Sequence, residues 1–415
     1  MISIAKKEIL EHLTSERFYI LTGLLIVLMA LSLIVSYGDY QLRAEHYALN
    51  HPQPNSSNIM IPPTALSIFA KGVDSNIGRL YYITERGIEG EDTEQTINRL
   101  FALFTVPDML FIIKVMLSLI ALLISFDGIT GEKESGTLKL ALSSGSNRSS
   151  ILFGKILGKF LLVFVPFAVL FLISAVIVSV LPDVQRTGDY WYRIIYFLFA
   201  STIYIFIFTG LGIFLSSLVH RSSTSLVLCL TVWIFFIFLI PQMGITLGRA
   251  MIDVPTGERV EMQSRLASIR AIYERIQQDK ENTMNGWKKL VNDIQTTNSE
   301  MLDTYRPKLN HLIRVTTNIA RCSPAGALTF IVTDGANTGV YEEMRYKDGV
   351  SMFAGRNFEL INNIKKGTME NFQYERAPLG EVISRSVSTD IILLFVFSFG
   401  FIICSMISFS RYDPR

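Results

Sequence analysis

Between Phe126 and Phe160 the chain runs FDGITGEKESGTLKLALSSGSNRSSILFGKILGKF, a stretch in which glycine, acid, base and hydroxyl crowd together. Its Gly154-Lys155 pair is the nearest approach to the end of a phosphate-binding loop, where a lysine and backbone amides would cradle phosphate. The full loop needs a hydroxyl next in line and a glycine five places before Gly154. Ile156 and Ser149 hold those positions, so no nucleotide site is expected in this chain. Metal chemistry has no better footing. His12, His46, His51, His220 and His311 are scattered without an H-E-x-x-H helix. Cys229, Cys322 and Cys404 offer neither a thiolate cluster nor a disulfide framework. No G-x-S-x-G elbow supplies a nucleophile. The sequence thus predicts no catalytic residues, no metal and no cofactor held by this chain.

The same stretch suits a mechanical role. Gly128 and Gly131 fit a tight exit from an apolar run, and Glu132 and Glu134 favour the N-terminus of a short helix. Thr137, Leu138 and Leu140 give that helix an apolar edge, the pattern of a docking element.

Half of the residues are hydrophobic and 18% are charged, too apolar for a water-soluble chain of 415 residues. A bilayer core about 30 Å thick needs roughly 20 apolar residues in a helix. Runs of that kind predict six spans, near Phe18–Ser36, Met109–Phe126, Gly158–Leu181, Arg193–Leu218, Thr224–Pro241 and Thr389–Phe409. The first run is long and lacks a small-residue cleavage pattern, so it reads as a retained span. Lys6, Lys7 and Arg17 precede it; Lys133, Lys139, Arg148 and Lys155 lie between the second and third spans; Arg221 and Arg411 flank later ones. The positive-inside rule places these segments, and with an even number of spans both termini, in the cytoplasm. A formal charge of +2 without a basic stripe argues against nucleic acid as a partner.

Ahead of the first span, Ile2, Ala5, Ile9 and Leu13 share one helical face, which predicts a helix lying in the interface rather than an extension of the span. Outside the membrane, Met262, Leu266, Ile269, Ile272 and Ile276 recur at steps of three and four. So do Trp287, Leu290, Val291, Ile294, Met301 and Tyr305 after an Asn285-Gly286 break, which predicts an antiparallel helical hairpin kinked or ended by Pro307. The segment from Ser323 predicts a short helix near the membrane followed by a glycine-bearing loop, and His51–Asn58 a loop. Lys114, near the outer end of the second span, is expected to snorkel to the headgroups, and Asp390 to lie at the interface.

The run Gly131, Glu132, Glu134, Gly136, Thr137, Leu138, then Arg148, then Gly154-Lys155 entering the third span, resembles the hallmark of type-2 ABC exporter permeases. Lys7-Glu8, the short basic loop His220-Arg221-Ser222-Ser223, Trp233 and Ser323-Pro324 resemble the same group. The resemblance implies that Gly131, Glu132, Glu134, Gly136, Thr137, Leu138 and Arg148 form the coupling element seated on a separate ATPase subunit, which carries the ATP and magnesium. It also implies a second permease protomer, identical or a sister subunit. The enlarged region before the last span departs from the compact loop of the shortest members. It resembles permeases tied to gliding motility, to maturation of a periplasmic copper enzyme, or to export of antimicrobial peptides, and it invites an envelope partner.

The reading is therefore an all-α membrane protein with six transmembrane helices of type-2 ABC exporter architecture and a helical extracytoplasmic domain, in a bacterial inner membrane. Its divisions are 1–36, an interfacial helix and the first span; 37–108, a first outside segment; 109–246, spans two to five with a cytoplasmic coupling loop at 127–157; 247–388, the hairpin domain; and 389–415, the sixth span and tail. The function expected is that of the permease subunit of an ATP-driven export complex. The alternative from another class is a membrane-anchored scaffold or sensor with an outside ligand-binding domain, which would have no need of the glycine-and-charge loop.

Overall fold

Ser15 breaks the chain between two helices, and its hydroxyl accepts the Phe18 amide to start the second of them. The computed structural model describes residues 2–50, 58–84, 87–90, 107–143, 147–255, 257–278, 284–361 and 372–411. Among these, six helices are long and apolar enough to cross a bilayer. Helix α1 (Ile2–Leu13) is separate from the first span, α2 (Glu16–Leu49). The second span, α3, is Met109–Ile112, a π turn Ile113–Leu117, and Ser118–Ser125. Two short helices follow, α4 (Thr130–Glu134) and α5 (Thr137–Ser143), then the third and fourth spans, α6 (Arg148–Val180) and α7 (Tyr190–Leu218). The fifth span, α8 (Ser222–Met251), leads to α9 (Gly257–Gln278), α10 (Met284–Ala320), α11 (Pro324–Gly335) and α12 (Val340–Ile361). The last span is α13 (Leu379–Ser410).

Spans α3 and α7 form the buried centre, while α2, α8 and α13 leave most of their apolar surface uncovered. Lipid tails are as apolar as the helices, so close packing rather than water exclusion must hold the bundle. Small residues permit it: a Cβ on Gly212 of α7 would lie 2.6 Å from the Ser125 Cβ of α3. Trp233 of α8 donates its indole N–H to Ser118 of α3 at 2.9 Å, and Tyr204 of α7 donates to the Lys114 carbonyl at 2.7 Å in the π turn. The Ser323 hydroxyl starts α11 by accepting the Ala325 amide, and itself donates to the Phe236 carbonyl in the π turn of α8. Pro324 takes the first helical position, where its missing N–H costs nothing.

At the end of the bundle away from α4 and α5, both long inter-span segments build one unit. A small antiparallel sheet, β1 (Asn58–Ile59), β2 (Tyr81–Thr84) and β3 (Gly87–Gly90), is its only strand structure among the described residues. Ile59, Val73, Ile77, Phe330, Tyr346 and Phe353 share a buried cluster drawn from the two segments. Arg376 closes the unit, donating to the Pro62 carbonyl at 2.8 Å and the Asn337 carbonyl at 2.9 Å and facing buried Asp74 at 3.3 Å. Gly72 is left-handed at φ +51° and lies against Thr338, whose carbonyl accepts the Val73 amide at 2.7 Å.

Arg193, at the start of α7, is the link to the membrane. Only 3% exposed, it donates to the Gly335 and Ala377 carbonyls, each at 2.6 Å, and pairs with Asp189 at 2.6 Å. Helices α9 and α10 lie side by side, and α10 then runs down against α8. A Cβ on Gly244 would meet the Thr316 carbonyl at 2.8 Å, and one on Gly248 would meet Leu312 at 3.3 Å and crowd the Thr316 hydroxyl. These two glycines, one helical turn apart, let α10 seat directly on the fifth span.

Several expectations change here. Met262, Leu266 and Ile269 are exposed. Pro307 lies inside a continuous α10, and Asn285-Gly286 falls in its first turn rather than at a break. Lys114 does not snorkel: it is buried within the protein, its ammonium sits 5.7 Å from the centre of the Phe111 ring, and Asp108 acts on it electrostatically. Asp390 is buried rather than interfacial and pairs with Arg321 at 2.7 Å. The loop expected from His51 lies outside the described residues up to Ser57, and Asn58 opens β1.

Candidate functional site: a loop fastened to helix ends

A helix leaves unpaired amides at its start and unpaired carbonyls at its end, which favour anions and cations respectively. Helix α4 serves two such ends with adjacent residues. Lys133 donates its ammonium to the Ser217 and Val219 carbonyls, at 2.6 and 2.9 Å, where α7 ends. Glu134 accepts the Ser222 amide at 2.9 Å and the Ser222 hydroxyl at 2.7 Å, where α8 begins. In return, Ser216 of α7 accepts the amides of Ile129 and Thr130, both at 3.0 Å. Beyond α5, Arg148 donates to the Ser410 carbonyl at 2.7 Å, at the end of α13. The loop is thereby fastened to the fourth, fifth and sixth spans.

Its tie to the third span is ionic. Lys155, 3% exposed, lies 2.7 Å from both Glu132 of α4 and Glu8 of α1. One turn on, Lys159 reaches His12 at 2.8 Å, the Ile124 carbonyl at 2.7 Å and Asp127 at 3.5 Å. Glu8 and His12 are spaced i, i+4 on α1, as Lys155 and Lys159 are on α6, so the two helices lie together with matched polar pairs. Gly158 allows the approach: a Cβ there would lie 2.9 Å from the Glu8 Cβ and 3.0 Å from the Ala5 carbonyl. The buried side of α1 is thus Ala5 and Glu8, while Ile2 and Leu13 of the supposed apolar face are exposed.

The seven residues singled out in the sequence all lie in or beside this loop, with different surroundings. Gly136 has φ +71° and ends α4, its amide donating to the Lys133 carbonyl; an L-residue there would be strained. Gly131 has room for a side chain, since a Cβ would come no nearer than 3.9 Å to Asp127. The close approach belongs instead to Gly128, where a Cβ would sit 2.7 Å from Ile213 and 2.8 Å from Lys159. Leu138 is buried with Ile129, Ile151, Ile156 and Phe409, so it anchors α5 to the bundle instead of forming an outer edge. Thr137 bonds Ser135 at 2.9 Å and stays exposed, as do Lys139 and Leu140, the last at 71%. Glu132 and Arg148 turn back onto the bundle, and Glu134 caps α8. Lys159, Asp127 and Ser216 were not singled out, and Lys133 only as one of the loop's charges; the i, i+4 lysines opening an apolar helix were the available signal.

Burial is the largest influence on the Glu8 carboxyl and would raise its pKa. The charges of Lys155 and Lys159, with the Lys155 hydrogen bond, outweigh it and hold the pKa below the ordinary 4.5. A depressed folded-state value contributes stability that is complete above the ordinary value and lost as pH falls through the lower one. Melting measured across the acid range should therefore show a loss of stability below the ordinary carboxylate value that Glu8→Gln flattens. An unchanged acid slope in that variant would contradict the assignment. His12 is lowered by burial and then by the Lys159 charge, so it is neutral near neutral pH and leaves Lys159 unopposed by a second cation.

Among the described residues no group of three or more His, Cys, Asp or Glu side chains is placed to hold a metal ion. The polar groups of the site fasten helices to one another. Fold and site together define an α-helical membrane protein with six candidate spans and, at one end, a loop fastened to the helix ends. The sequence model of the ABC-2 family transporter proteins matches residues 2–312, and the chain belongs to that family. It is 30% identical over 133 residues to a probable ABC transporter permease protein, NosY, of Stutzerimonas stutzeri, covering 32% of this chain and 48% of that protein. It is 31% identical over 139 residues to the probable NosY permease protein of Pseudomonas aeruginosa, covering 32% of this chain and 49% of that protein. The chain spans about half the length of the curated relatives it matches.

Proposed function

We propose that the chain is the membrane-spanning permease subunit of an ATP-driven ABC export complex, of the subgroup with an enlarged outside region. The observation that carries this reading is the bonding of α4, whose Lys133 and Glu134 hold the end of one span and the start of the next. A push on α4 and α5 reaches four spans through ion pairs and helix-end hydrogen bonds, without passing through flexible chain. A separate ATPase subunit, holding ATP and magnesium, docks against the exposed residues of this loop, with Gly136, Thr137, Lys139 and Leu140 facing it. Glu132, Glu134, Leu138 and Arg148 hold the loop from behind. The loop and both termini lie in the cytoplasm of a bacterial inner membrane, in keeping with the basic residues at that end. A second protomer, identical or a sister subunit, covers part of the apolar surface that α2, α8 and α13 leave open. The output is a transported substrate or motion passed to an envelope partner by the outside unit.

The test uses Leu140, which is exposed and holds nothing in this chain. Leu140→Asp should reduce recovery of the ATPase subunit with the full-length permease by about tenfold, the size of an interface anchor, while membrane insertion is unchanged. Undiminished recovery would rule out this docking face.

A further inference from the structure

A cleft of about 380 Å³ opens where α1 turns into α2, against the last turn of α3. Leu21 and Leu123 line its apolar wall, and Glu11, Glu16, Arg17 and Asp127 its rim. Because α2 and α3 begin or end their passage through the bilayer here, the cleft sits at headgroup level and its apolar wall continues along two spans. That combination suits an amphiphile with its chains along the helices and its head in the cleft.

Charge selects the head. Three carboxylates face one guanidinium, and His12, also in the lining, is neutral near neutral pH because burial and Lys159 lower it. Lys159 lies behind the rim, held by His12 and the Ile124 carbonyl, and its longer 3.5 Å contact to one Asp127 oxygen leaves Glu11 and Glu16 as the carboxylates free of it. The Arg17–Asp127 contact is long, at 3.6 Å, with Arg17 well exposed, so little is lost when a ligand separates the two. We propose that this cleft binds a phospholipid whose headgroup carries a primary ammonium. The ammonium sits among Glu11, Glu16 and Asp127, and the phosphate rests on Arg17. A headgroup of the choline type has no N–H to donate to carboxylates, and a purely anionic one meets a rim of its own sign. The proposal goes beyond the permease reading and does not depend on an ATPase partner.

Full-length protein can be reconstituted in vesicles of equal phosphatidylethanolamine, phosphatidylcholine and phosphatidylglycerol, extracted gently and weighed by native mass spectrometry. Phosphatidylethanolamine should be retained over phosphatidylcholine by about fivefold, as charge-assisted hydrogen bonds would give. The double variant Glu11→Gln, Glu16→Gln, in exposed residues outside the ion-pair cluster, should bring the two to parity. Equal retention of all three lipids, a preference for phosphatidylglycerol, or an unaltered preference in the double variant would each overturn the proposal.

Discussion

Lys155→Met should destabilise the protein by about 3–5 kcal/mol, because it strips the shared partner from two carboxylates that the fold has already taken out of water. Glu8 and Glu132 approach Lys155 from two different helices, each at 2.7 Å. In the wild type the ammonium offsets the desolvation of both; in the variant Glu8 keeps the longer contact to Lys159 at 3.9 Å and Glu132 loses its 2.7 Å partner. The loss should appear as a lower melting temperature in detergent and as earlier proteolysis of α1. A triple variant, Lys155→Met with Glu8→Gln and Glu132→Gln, should recover most of the loss, since neutral amides are cheaper to bury than charges. If the triple variant is no more stable than the single one, the ion pairs are not the cause.

The second large effect is expected at Arg193. Arg193→Met would leave the Gly335 carbonyl without its side-chain donor and the Ala377 carbonyl with the Asn337 amide alone, at a cost of roughly 1–3 kcal/mol for the orphaned acceptor in a buried setting. The change is local in consequence, since those carbonyls belong to the outside unit and the arginine to α7. Hydrogen exchange should therefore accelerate by about a hundredfold in 335–341 and 374–378 while the membrane helices stay protected. Exchange that remains slow in these segments would show that the unit is held by other contacts.

The sequence made some of this visible and hid the rest for identifiable reasons. The spans are local objects: length and apolarity suffice to find them, and the structure places a long apolar helix at each. The loop's glycine and charge were visible, but the work of each residue was not. Glu134 meets Ser222 from 88 residues away and Arg148 meets Ser410 from 262, so no spacing rule could assign those bonds. Leu138 and Leu140 look alike in the sequence, yet one is buried and the other exposed, because Gly136 sets the turn that aims α5. For α9, periodicity marked Met262, Leu266 and Ile269 as a face but could not say that the face would stay exposed. Lys114 looked like a snorkelling residue because its position in the run was legible, whereas its burial comes from tertiary packing. The sheet escaped notice because each strand has no more than four residues.

The seat formed by Gly244 and Gly248 has a consequence for scale. Helix α10 has 37 residues and is gripped near its C-terminal end by the fifth span. A rigid rod of that length measures about 55 Å, so each degree of tilt at the grip sweeps the far tip through about 1 Å. Rocking too slight to widen a passage among the spans would still become a stroke of several ångströms at the distal end, where bulkier residues in place of the two glycines would loosen the gearing.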